Sequence, residues 1–267
     1  MSEADQAKLR TPSNLRLRMI ASVGMIAVAT AAVVFGGIAF WLLAVVVAIL
    51  MMAEWADLVG ASAGHKRLAQ YALSVPLAIM APIAAGPDPF ALGLLAGAAF
   101  FVVIVTRLPW LAAGVLYCGL PVLALVLINR QHEGLAWTFW AMALVWGCDI
   151  GAFFVGRTFG GPKLAPRLSP NKTWSGLIGG VLLASVVGAL MHWRFGLPLR
   201  MTLATPGLAV VAQGGDLFES WLKRRAGVKD SGTILPGHGG VLDRLDGLVP
   251  VAPLAALLVV LPHFYPS

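Results

Sequence analysis

Charge is scarce in this chain. Asp, Glu, Lys and Arg together make up 12% of its 267 residues, against roughly 25% in a soluble domain, and the mean hydropathy is +0.84. The apolar runs are too long and too many for one or two soluble domains. Cysteine is nearly absent: Cys118 and Cys148 are the only two. They lie in different apolar runs, so a disulfide framework is not indicated and both read as small packing residues. No Cys/His set suggests zinc. No internal repeat is evident. Residues 1–18 are polar and basic, and the first apolar run leads straight into a second, so no cleavable signal peptide is expected.

What is present is a series of about nine apolar runs of membrane-spanning length, approximately 19–35, 38–56, 71–86, 89–106, 109–128, 134–155, 175–193, 203–221 and 248–265. The fold class is therefore all-α, a polytopic helical membrane protein. A basic segment, 1–18, precedes a single transmembrane domain, 19–267. Turn-forming residues punctuate the runs, among them Gly36-Gly37, Gly86-Pro87-Asp88-Pro89 and Arg107-Leu108-Pro109. The third run contains Pro76 and Pro82, and its ends are the least defined. With nine crossings and a cytoplasmic N-terminus, 16 of the 19 Lys and Arg residues fall on the cytoplasmic side and only Arg130, Arg194 and Arg200 on the other. The net charge of +7 is then a surface facing anionic lipid headgroups, and nucleic acid is not needed to explain it.

The N-terminal half, to about residue 140, reads as apolar and nearly featureless. The informative polar residues lie in and around two loops, about 156–174 and 222–247. In the first, Gly160-Gly161-Pro162 stops a helix, and Ser169-Pro170-Asn171 can form a turn. Lys172 and Thr173 stand just before the next run, where a cation, a hydroxyl and unpaired N–H groups can bind phosphate. An ordinary positive-inside loop is the equal alternative. Asp149 lies inside the sixth run, and an intramembrane carboxylate is functional by default; a helix-fixing pair with Arg157 is the bland alternative. Asp216, Glu219 and Lys223 share one helical face by their i, i+3, i+7 spacing. Glu219 and Lys223 can be a simple i,i+4 pair. Asp216 has no basic neighbour at helical spacing, so a metal is its natural compensation. Pro236-Gly237-His238-Gly239-Gly240 can present N–H groups to phosphate oxygens, and Asp243 and Asp246 are spaced to face one ion. Carboxylates together with phosphates make the hard-oxygen setting that Mg²⁺ prefers.

At these residues the chain resembles the phosphatidate cytidylyltransferase (CDP-diacylglycerol synthase) family. Its signature, S-x-L-K-R-x4-K-D-x-G-x2-L-P-x-H-G-G-V-x-D-R-L-D, is filled at every fixed place from Ser220 to Asp246. Asp149 to Arg157 and Ser169 to Trp174 resemble a second characteristic region. Phe153, Ser175 and Gly247 depart from the residues usual there, which are Tyr, Glu and Ser.

The resemblance implies transfer of CMP from CTP to phosphatidic acid, giving CDP-diacylglycerol and pyrophosphate. It implies an active site on the cytoplasmic face of a bacterial-type inner membrane, and a homodimer. The expected metal ligands are Asp216 and Asp243 with Asp246 beside them, for Mg²⁺, with Mn²⁺ and an accompanying monovalent cation left open. Lys223, Arg224, Lys229 and Arg244 would supply charge to phosphatidate and to the leaving pyrophosphate. Ser169, Asn171, Lys172 and Thr173 would hold nucleotide phosphates, and His238, Gly239 and Gly240 the substrate, which would enter near Asp149. Two rivals share parts of this pattern. A CTP-dependent enzyme on another lipid, such as a polyprenol kinase, could use the same loops. A secondary transporter could use Asp149, Asp216 and Glu219 as ion sites, with inverted repeats in both halves.

Overall fold

Local sequence signals set several helix ends. Asp88 accepts a hydrogen bond from the Phe90 N–H at 2.9 Å and Pro89 follows it, a start built from an N-cap and a proline in the first turn. Thr173 caps another helix through the Gly176 N–H, and Gly160 and Gly196 adopt positive φ where two helices stop. The computed structural model describes residues 24–25, 27–234 and 239–264. Within them the order is α1 (27–35), α2 (Gly37–Leu58), α3 (Ala63–Ile79), α4 (Pro89–Thr106), α5 (Pro109–Asn129), α6 (Gly134–Phe159), β1 (Lys163–Ala165), β2 (Ser169–Thr173), α7 (Trp174–Phe195), α8 (Leu199–Arg225), α9 (Leu242–Leu245) and α10 (Leu248–Phe264).

The chain is an all-α membrane protein. Four helices, α2, α5, α6 and α7, are long and apolar enough to cross a membrane, and α4 and α10 contain shorter apolar stretches. Large apolar side chains such as Phe35, Tyr71, Phe100, Ile104, Leu182 and Trp193 are exposed on the outer faces, as expected where lipid is the solvent. Two elements differ from the hydropathy reading. The run drawn at 71–86 is a helix over Ala63–Ile79: Ser62 caps it through the His65 N–H, and the helix takes in Lys66, Arg67 and Gln70 before its apolar part begins. Backbone hydrogen bonds close a turn whatever its polarity, so hydropathy alone starts the element too late. The Ser169-Pro170-Asn171 turn is instead strand, for Ser169–Thr173 pairs antiparallel with Lys163–Ala165.

One buried cluster around Trp55, Leu73, Leu77, Leu95, Leu111 and Val115 joins α2 to α5. A second, around Ile128, Trp140, Leu144, Met201 and Val251, joins α5 and α6 to α8 and α10. The closest packing is between α6 and α7. A Cβ on Gly180 would lie 2.7 Å from the Cys148 carbonyl oxygen, and one on Gly151 would lie 2.9 Å from Leu183 Cβ. Only glycine admits that approach, the usual device where lipid gives no hydrophobic drive to associate.

Tertiary contacts sort the connections to two ends of the bundle. At one end Trp55 donates its indole N–H to the Trp110 carbonyl at 2.7 Å, and the Arg225 guanidinium stacks on the rings of Trp110 and Trp221. The β1–β2 hairpin and the 219–247 segment are joined to this same end. At the other, the Arg130 side chain packs against Gly86, and Arg200 donates to the Leu258 carbonyl.

Candidate active site

The site is assembled from the ends of α2, α6, α8 and α10, the β1–β2 hairpin and the segment that leads into α9. Gly160 and Gly161, both at positive φ, turn the chain out of α6 into the hairpin. The Ser175 hydroxyl donates to the Gly160 carbonyl and ties that turn to the start of α7. The hairpin carries Lys172 over to α8, where its ammonium pairs with the Asp216 carboxylate and donates to Gln213 Oε1 at 3.1 Å. The compensation that helical spacing could not supply for Asp216 therefore comes from a residue 44 positions away in sequence. Gln213 is buried, and its amide also donates to Asp149 Oδ1 at 3.4 Å. Asp149 is thereby joined to the same group, while Arg157 lies over the Phe153 ring, 5.8 Å from its centroid.

Asp216, Glu219 and Lys223 do share one face of α8. Lys223 Nζ sits 2.6 Å from Asp243 Oδ1 and 3.3 Å from Glu219 Oε2. Asp243 Oδ2 accepts from the Ser231 N–H at 2.9 Å, the Ser231 hydroxyl at 3.0 Å and the Gly240 N–H at 2.9 Å. Burial acts to raise the Asp243 carboxyl, but the Lys223 ammonium and the two N–H groups outweigh it and hold the group down at about 2. Asp246 follows α9. At Gly215 a Cβ would lie 2.7 Å from the Pro250 ring, so only glycine lets the start of α10 cross α8 there. That crossing sets Asp246 against Asp216. Burial first, and then the Asp216 carboxylate, push the Asp246 carboxyl well above the usual carboxylate range.

Two lysines, Lys172 and Lys223, are thus engaged with carboxylates in a group of five: Asp149, Asp216, Glu219, Asp243 and Asp246. Glu219 is almost fully buried, and its oxygens make no hydrogen bond, although Lys223 is near. A buried carboxylate that shares its one nearby cation, Lys223, with Asp243 and lies beside other carboxylates fits the demand for a hard cation. The donors are all oxygen, which suits Mg²⁺ or Mn²⁺ over zinc. Among the described residues, however, no three His, Cys, Asp or Glu side chains already converge as a ready ligand set. Lys172 stands against Asp216, and Lys223 against Asp243 and Glu219.

The other expected residues are placed as follows. Thr173 is buried, and its hydroxyl is used in capping α7. Ser169 is half-buried and Asn171 exposed on the hairpin. Arg224, Lys229 and Arg244 are exposed, with Arg224 donating to the Val228 carbonyl at 3.4 Å. The Gly240 N–H is already donated to Asp243, whereas Gly239 turns the chain at a φ of 83°. His238 lies outside the described residues. Gly247, where Ser is usual, has room for little more, since a Cβ would lie 3.0 Å from Val145.

Three residues were not singled out by their sequence pattern. Gln213 and Ser231 are ordinary polar residues until the fold sets them between charged groups. Glu54 is different. It stands three residues before Asp57 near the end of the apolar run GIAFWLLAVVVAILMMAEWADL, and the reasoning that flagged Asp149 applied to it equally. It corrects the reading of the N-terminal half as nearly featureless, for it reaches the signature segment and is buried there, accepting from Val241 and Leu242.

Comparison with known proteins gives the chain a family. The cytidylyltransferase family profile matches residues 16–261. A phosphatidate cytidylyltransferase of Brucella suis is 40% identical over 257 residues, covering 92% of this chain and 93% of that protein. One from Rickettsia bellii is 31% identical over 257 residues, with 93% and 92% covered. One from Bacillus subtilis is 45% identical over 136 residues, about half of each chain. A profile match over nearly the whole sequence, with two relatives matched over more than nine-tenths of both chains, shows that this chain belongs to the cytidylyltransferase family.

Proposed function

We propose that this protein transfers CMP from CTP to phosphatidic acid, releasing pyrophosphate and leaving CDP-diacylglycerol in the membrane. The observation that carries the reading is the pair of ion pairs, Lys172–Asp216 and Lys223–Asp243, made between different segments at one end of the bundle. Each lysine is set where it can exchange a carboxylate for a phosphate oxygen. The family's curated members bear the name of this activity.

The chemistry asks little of the protein beyond charge and position. A phosphomonoester oxygen of phosphatidate, already anionic near neutral pH, attacks the α-phosphorus of CTP. The bond to the β-phosphate oxygen breaks, and pyrophosphate leaves with that electron pair. No side-chain nucleophile is required. The difficulty is bringing two polyanions together in line, which cations meet by neutralisation and orientation. Asp216, Asp243 and Asp246 are the carboxylates that would hold Mg²⁺ or Mn²⁺, and such an ion would supply further neutralisation of phosphate charge. Lys172, with Ser169 and Asn171 on the exposed hairpin, would take the nucleotide phosphates. Lys223, Arg224, Lys229 and Arg244 would serve phosphatidate and the departing pyrophosphate, and Asp149 marks the side of α6 from which the lipid enters.

The same reading has nine crossings with the N-terminus and the site on the cytoplasmic side of an inner membrane, and a homodimer. The positive-inside count supports the orientation, as does the gathering of the hairpin and the 219–247 segment at one end. Detergent-purified protein given CTP, Mg²⁺ and phosphatidic acid should release pyrophosphate and form a CDP-lipid, with neither product in lipid-free or EDTA controls. Absence of pyrophosphate from folded protein would overturn the activity; release without Mg²⁺ would overturn the metal.

A further inference from the structure

We propose that Glu54 is a positioning residue of the transfer site: its carboxylate holds both arms of the signature segment, so that Asp243 is presented in a fixed orientation. The inference rests on the transfer reading above for its catalytic consequence, but not for its geometry. Glu54 is 2% exposed. Its Oε1 accepts from the Val241 N–H at 2.8 Å, and its Oε2 accepts from the Leu242 N–H at 2.8 Å and the Ser231 hydroxyl at 3.1 Å. All three donors belong to the signature segment, from which Glu54 is separated by more than 170 residues of chain.

The coupling to Asp243 runs through Ser231. Its Oγ lies 3.1 Å from Glu54 Oε2 and 3.0 Å from Asp243 Oδ2, while its N–H donates to Asp243 at 2.9 Å. A hydroxyl has one proton to donate, so the two carboxylates share it. The segment is also shaped for this guest. A Cβ on Gly232 would lie 2.7 Å from Glu54 Oε1, and one on Gly240 would lie 2.6 Å from Oε2. Both arms thus close on Glu54 where only a hydrogen fits. These two glycines of the signature read as seats for a carboxylate from α2 as much as turn residues. Because, among the described residues, each donor to Glu54 is a backbone or hydroxyl group of the segment, the residue acts through that segment.

Glu54→Gln is the test, because an amide keeps the size but can accept at only one of its two termini, leaving Val241 or Leu242 facing an NH₂ group. In the full-length protein, Glu54→Gln should lower kcat about 100-fold, the scale of a misplaced reacting group. The apparent KM for CTP should stay within about threefold, and Glu54→Asp should recover at least part of the loss. Ser231→Ala should also lower kcat, and the double variant should be no slower than Glu54→Gln alone, since the two residues act along one line. Amide hydrogen exchange at Val241 and Leu242 should be faster in Glu54→Gln than in wild type. A kcat near wild type, a change confined to KM, or multiplicative effects in the double variant would overturn the proposal. If Glu54→Gln does not fold, Ser231→Ala decides: unchanged kcat there sinks the coupling. If wild type itself releases no pyrophosphate, the transfer reading fails, and unaltered exchange at Val241 and Leu242 would separately reject the clamp.

Discussion

Single side chains in this site are defined by the charge that faces them. Asp216 pairs with Lys172 and Asp243 with Lys223, so removing either carboxylate strands a lysine and takes away a proposed metal ligand. Asp216→Asn and Asp243→Asn should each cut pyrophosphate release at least about 100-fold in protein that still elutes as folded; near-normal turnover in either would remove it from the chemistry. Lys172→Ala should raise the apparent KM for CTP about tenfold or more, the loss of one charge-assisted contact; an unchanged KM would take the hairpin out of the nucleotide site. The carboxyls also differ in what pH does to them. Asp243, depressed to about 2, contributes stability that is present above its ordinary value of about 4 and is lost as pH falls through 2. Asp246 is raised, so its ionisation opposes the fold, and stability should fall as pH climbs above about 4. In EDTA, the melting temperature of wild type should therefore decline from pH 5 to pH 8 more steeply than that of Asp246→Asn. Parallel slopes would contradict the burial argument.

The elements matter through where they touch. The α6–α7 pair carries the hairpin between its ends, and its helices meet at Gly151 and Gly180. Gly180→Val would add an isopropyl group whose Cβ alone would lie 2.7 Å from the Cys148 carbonyl oxygen. Such overpacking costs about 1–3 kcal/mol, and the shift should be felt at Lys172. We expect a lower melting temperature together with a raised KM for CTP, measured in the same preparation; a destabilised variant with unaltered KM would show that the hairpin is positioned independently of that contact. The α8–α10 crossing at Gly215 works in the same way for Asp246. Part of this was legible in sequence, since Gly214-Gly215 beside Asp216 marks a place where another helix or a ligand can come close to the backbone. Which glycine meets which carbonyl was not, because helical periodicity gives a face and no partner.

At the scale of the molecule, the chain places its polar chemistry at one end of an apolar bundle. Sidedness is open to a direct check. In a Cys118→Ala, Cys148→Ala background, Lys66→Cys and Arg167→Cys should resist a membrane-impermeant maleimide applied to intact cells. Arg130→Cys and Arg200→Cys should react. Labelling of Lys66→Cys from outside would break the nine-crossing arrangement. The N-terminal half is more than a lipid anchor, since α2 supplies both Trp55 to the core and Glu54 to the signature segment.

By itself the sequence determined the class, the all-α architecture, several helix ends that a proline or glycine marks, and the two loops whose residues we propose carry the chemistry. These are local or compositional properties, written in neighbouring residues. Only the tertiary structure decided that Lys172 answers Asp216, that Lys223, already at i,i+4 from Glu219, also takes Asp243, and that Glu54 reaches the signature segment from the far half of the chain. Those pairings join residues distant in sequence, and a buried charge selects its partner from what the packed bundle brings within reach, which no spacing along one helix records.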